Sequence, residues 1–123
     1  MSDKTFAPPE AGDLAKLIEG FEGQMDPEAM ENAKKALAIL EERGMPDSST
    51  YSLNHIEAED EDDLLLKLHL ATTPPFLAYL NEEISLEEAT VYVMPVMEAV
   101  LTLIMTNAFS GEEVEFPITI TVE

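Results

Sequence analysis

Residues 85–108 read SLEEATVYVMPVMEAVLTLIMTNA, and the reading of this stretch decides the fold. Ser85 followed three residues later by Glu88 is a capping-box pattern, and Glu87 adds a second negative charge at the positive end of the helix dipole. From Ala89 to Met105 the only polar side chains are Thr90, Glu98 and Thr102. A helix that is apolar on nearly every face belongs in a core, so the sequence predicts a long, buried helix with the rest of the chain as its cover. Pro95 is expected to kink it near Val91, and Gly111 to end it.

Beyond this helix lies the clearest strand of the chain. Val114, Phe116, Ile118, Ile120 and Val122 alternate with Glu115, Pro117, Thr119 and Thr121, and Pro117, which cannot donate to a ladder, marks an edge position. Before the helix, Thr73–Pro74–Pro75 reads as a fresh helix start with Phe76, Leu77 and Leu80 inward, broken at 81–83. Leu64, Leu66, Leu68 and Leu70 alternate with Leu65, Lys67 and His69. That period of two predicts a strand, although leucine prefers helix, and a helix over 62–71 is the second reading. With a strand over 50–56 it would form a hairpin whose turn is the acidic run Glu57, Glu59, Asp60, Glu61, Asp62 and Asp63.

Two helices open the chain. The first is expected from an Asp13 cap, with Leu14, Leu17, Ile18 and Phe21 on one side. In the second, Asp26 caps, Pro27 takes the first helical position, and Met30, Ala33, Leu37 and Leu40 form the inner stripe. Residues 1–11 read as a loose leader and 12–123 as one α+β domain: about four helices on one face of a small, mostly antiparallel three-stranded sheet.

Composition limits function. The 123 residues hold 26 Asp and Glu against 6 Lys and Arg, a net charge of −20. Such a surface disfavours direct contact with nucleic acid or an anionic membrane and favours an electropositive partner. No cysteine is present, which removes disulfides, thiolate nucleophiles and cysteine metal sites. The N-terminus shows no signal-peptide pattern, so a cytoplasmic protein is expected, as monomer or homodimer. No phosphate-binding glycine loop, nucleophile elbow or zinc-binding histidine pair is found, and no enzyme, cofactor or metal is expected. His55 and His69 on neighbouring strands of the hairpin would be surface residues rather than ligands.

The charge is uneven. Residues 57–123 contain one base, Lys67. On an extended strand Glu57, Glu59, Glu61 and Asp63 would stand about 6.6 Å apart, close to the spacing of phosphates along a nucleic acid strand. The sequence therefore nominates Glu57, Glu59, Asp60, Glu61, Asp62 and Asp63, with Glu82, Glu83, Glu112, Glu113 and Glu115, as a partner-binding surface. The expected function is a nucleic-acid mimic that blocks a basic protein surface, of the phage anti-defence or toxin-immunity kind. The alternative is an acidic secretion or assembly chaperone that holds a client by an apolar groove or by strand addition at the C-terminal edge.

Overall fold

The computed structural model describes residues 9–111 and 115–122. Among them are four α-helices and an antiparallel three-stranded sheet: α1 (Ala11–Gly20), α2 (Pro27–Arg43), β1 (Tyr51–Ser52), β2 (His55–Ala58), α3 (Glu61–Leu80), α4 (Leu86–Ser110) and β3 (Ile118–Thr121). The strands lie in the order β1-β2-β3. β3 is thus an edge strand as expected, but it is shorter than the alternation: Phe116 and Pro117 precede it, Val122 follows it, and Val114 lies outside the described residues.

Residues 61–80 form one helix, and this corrects two expectations. The Leu64–Leu70 alternation is not a strand, and Pro74 and Pro75 do not begin a new helix but lie inside α3. Asp60 explains the start: its side chain accepts from the Asp63 N–H at 2.7 Å, and three acids follow in the first turn. The period of two misled because α3 is covered on several sides. Leu66, Leu70 and Ala71 face one core with Leu14, Leu17, Ala36, Ile39, Leu40 and Tyr51. Leu64 faces a second core with Ile56, Ala58, Val96, Val100 and Ile120. A helix between two cores has no single polar face to reveal its period. The central element is therefore α3, not α4.

The other helices follow their local signals with small shifts. In α1 Asp13 is not the cap; its carboxylate accepts from the Glu10 N–H at 2.8 Å, one turn before. In α2 Pro27 opens the helix as expected. Its buried positions are Ala33, Ala36, Ile39 and Leu40, so the stripe is rotated and Met30 and Leu37 are only part-buried. Gly20 lets α1 approach α3: a Cβ there would stand 2.6 Å from Leu80 Cδ1. Phe21 then meets Phe76 edge-on at 5.7 Å and stacks on Tyr79 at 5.8 Å.

The expected hairpin of 50–56 with Leu64–Leu70 does not form; the stretch expected as its first strand is itself a hairpin, β1 with β2, whose turn is Leu53–Asn54. Ile56 pairs with Ile120 and Ala58 with Ile118 on the inner side of the sheet, while His55 and Glu57 face outward opposite Thr121 and Thr119. His55 and His69 do not share the sheet, because His69 lies on α3.

His69 is part-buried, its Nδ1–H donates to the Leu65 carbonyl at 2.8 Å, and desolvation holds its pKa below the usual value. The unfolded chain takes up a proton near pH ~6.5, where the folded one does not. Stability is therefore full above that pH and falls as pH drops through the window beneath it. The urea midpoint at pH 5.5 relative to pH 7.5 is expected to fall less in His69→Gln than in the parent. Equal drops would show that His69 does not carry this acid sensitivity.

Candidate partner-binding surface

The acidic run does not form an array. Only Glu57 stays on a strand, exposed, with Oε2 2.9 Å from His55 Nε2. After Ala58 the chain turns into α3, and the even carboxylate spacing is lost. Asp60 caps the helix and also pairs with Arg43 at the end of α2, both Oδ atoms lying 3.2 Å from Nη1. The Asp63 N–H, then Arg43, hold the Asp60 carboxyl below its ordinary pKa. Asp62 lies 3.8 Å from Arg43 Nη2. Glu61 is exposed on the first turn, and Glu59 is exposed while its N–H donates to Asp63 Oδ2 at 3.0 Å.

Asp63 is buried. Its Oδ2 lies 2.8 Å from Lys67 Nζ one turn later, and the two side chains are only 12% and 7% exposed. Lys67 also donates to the Glu57 carbonyl at 2.5 Å, which ties α3 to β2. The i, i+4 acid–base pair was visible in the sequence; its burial was not.

Glu82 and Glu83 are exposed in the turn before α4, Glu82 with φ at 61°. Glu87 and Glu88, on the first turn of α4, are exposed beside them, and Ser85 accepts from the Glu88 N–H at 3.1 Å as the capping pattern required. Glu115 is exposed. Glu112 and Glu113 lie outside the described residues. The structure thus gathers Asp60 and Asp62 around Arg43 and Asp63 onto Lys67, and leaves Glu57, Glu59, Glu61, Glu82, Glu83 and Glu115 facing water. Among the described residues no group of three or more His, Asp and Glu is placed to hold a metal.

The largest departure is α4 itself. Its buried positions are Ala89, Val93, Val96 and Val100, a narrow seam of 4-3-4 spacing. One residue further round, Thr90, Met94, Met97, Leu101, Ile104 and Ala108 repeat the spacing on an adjoining face that is exposed. Leu101 is 54% exposed, Val91 62% and Phe109 85%. A 25-residue helix is about 37 Å long, and the described residues cover only one side of it. The expectation of a fully buried helix is therefore corrected: α4 has two apolar faces, of which one is covered. Among the described residues it is also the helix long and apolar enough, by length and composition, to cross a membrane.

The two repeats are both present in the sequence, but which of them the chain covers is not. Two largely apolar repeats offset by one residue need two packing partners, and the described residues supply one. A search of known protein families, curated proteins and solved structures gives no match to this chain.

Proposed function

We propose that the protein is a non-enzymatic, cytoplasmic binding protein that holds an electropositive protein partner. One observation carries this reading. From Gly44 onward the only Lys or Arg is Lys67, and Lys67 is buried in its pair with Asp63. Every Lys, Arg, Asp or Glu that the described residues of this part of the molecule turn to solvent is therefore negative, and Glu82, Glu83, Glu87 and Glu88 crowd the start of α4. A basic protein would be steered to such a surface and released by salt.

Between the two forms this takes, the chaperone-like one is preferred. Nucleic-acid mimicry needs a regular row of carboxylates, and the acidic run is divided among a cap, a buried pair and single exposed residues. The exposed side of α4 is apolar, as a client-holding surface must be. In this arrangement the four helices pack on one face of the sheet, and the face bearing His55, Glu57, Thr119 and Thr121 stays in water.

The test is capture of partners from a native lysate with tagged full chain, eluted in steps of salt. A basic protein that elutes at moderate salt, and is lost when Glu82, Glu83, Glu87 and Glu88 are changed to lysine, supports the reading. Partners that are acidic, or whose binding survives the four lysine changes, would contradict it. The free chain is also expected to melt several degrees higher at roughly 0.15 M salt than at 0.01 M, where the Debye length is three- to fourfold longer and the −20 charge repels itself. A flat response by calorimetry would show that the charges are too dispersed to matter.

A further inference from the structure

On the reading that the partner is electropositive, we propose that the open face of α4 receives one cationic amphipathic helix of that partner. The spacing carries the shape of the occupant. Thr90, Met94, Met97, Leu101, Ile104 and Ala108 recur at alternating intervals of four and three residues, the repeat by which one helix seats its side chains between those of another. Met105 and Val91 widen the stripe on its outer side. A strand or an irregular loop would meet this repeat out of step. Three methionines on the stripe, Met94, Met97 and Met105, can adapt to an imperfect partner surface.

The charges at the margin carry its sign. Glu98 interrupts the outer flank at mid-length, and Glu87 and Glu88 lie at the start of the helix with Glu82 and Glu83 just before it. No Lys or Arg stands anywhere along α4. A docked helix with an apolar seam and Lys or Arg beside it would meet carboxylates over the first half of α4, from Glu82 and Glu83 through Glu87 and Glu88 to Glu98, and apolar surface beyond. A second copy of the chain fits less well: pairing the same seams brings Glu98 of the two chains together between bodies of −20 each, with no base to separate them.

The test is a fluorescence-anisotropy titration of the full chain with three labelled peptides of about 21 residues, three heptads of one seam. One has leucines at the 4-3 spacing and Lys or Arg elsewhere. The second keeps the leucines and carries Glu instead, and the third has the first one's composition with the seam scrambled. The first is expected to bind at least tenfold tighter than either other. Leu101→Asp and Met97→Asp, exposed positions whose circular dichroism and melting should be unchanged, are expected to weaken it tenfold or more, and Glu98→Lys two- to fivefold.

The two ways of failing are distinct. If the scrambled cationic peptide binds equally and Leu101→Asp changes nothing, the electropositive-partner reading stands and the helix proposal falls. If the acidic-flank peptide binds as well as the cationic one, the partner's charge was misjudged and the underlying reading falls as well. Sedimentation showing a dimer that Leu101→Asp converts to monomer would assign the face to a second copy. Partition of the chain onto neutral phosphatidylcholine vesicles, abolished by Leu101→Asp, would assign it to lipid. Either result overturns the proposal.

Discussion

Replacing Lys67 with methionine is expected to lower folding stability by about 3–5 kcal/mol, the range for removing one member of a buried ion pair. The ammonium serves two acceptors, the Asp63 carboxylate at 2.8 Å and the Glu57 carbonyl at 2.5 Å. Methionine fills much of the volume and satisfies neither. Asp63 would keep the Glu59 N–H but would stand as a buried carboxylate without its counter-charge. Since α3 meets the sheet through this contact, β2 loses an anchor at the same time. For a domain of this size the melting temperature is expected to drop by roughly 10 °C or more. The double replacement Lys67→Met with Asp63→Leu separates the possible causes, because it removes both charges together. It is expected to recover much of the loss, and urea unfolding of the four members of the cycle measures the coupling. A single variant as stable as the parent would mean that water reaches the pair.

Leu70→Ala is the second large effect. Leu70 is fully buried on α3, in the core where α1, α2, β1 and α3 meet. Truncation removes three heavy atoms that four elements share, and a loss of about 3–4 kcal/mol follows from the transfer and cavity terms. Leu101→Ala makes the same chemical change on the open face of α4, where it is expected to shift stability by no more than about 0.5 kcal/mol. Equilibrium unfolding in urea should place the two midpoints far apart. Similar losses would show that the outer face of α4 is covered in solution.

Where a signal was local, the sequence was readable. Ser85 with Glu88, Pro27 at the opening of α2, Gly111 in a left-handed conformation at the end of α4, and the alternation of Ile118 to Thr121 all act within one turn or one strand. The failures arise where the environment decides. Leu64 to Leu70 imitate a strand because α3 is enclosed from several directions, and the prolines at 74 and 75 did not stop it. Asp60, Asp62 and Asp63 look like free surface charge until Arg43 and Lys67 are placed beside them. For α4, apolarity was read correctly and its cause was not: hydropathy reports that a face avoids water, not whether this chain supplies the cover.

The pairing of β2 with β3 also bears on the order in which the molecule can be made. His55 meets Thr121 across 66 residues, whereas β1 and β2 are joined by a two-residue turn. Among the described residues, the core of α1, α2, β1 and α3 uses nothing beyond residue 80 and can close before α4 docks. The second core cannot, since Ile120 completes it. Until residues 118–121 pair with β2, the inner seam of α4 lacks this strand and β2 has a bare edge. During that interval the chain shows apolar surface on both sides of α4, and the repulsion among its many carboxylates opposes association of neighbouring chains.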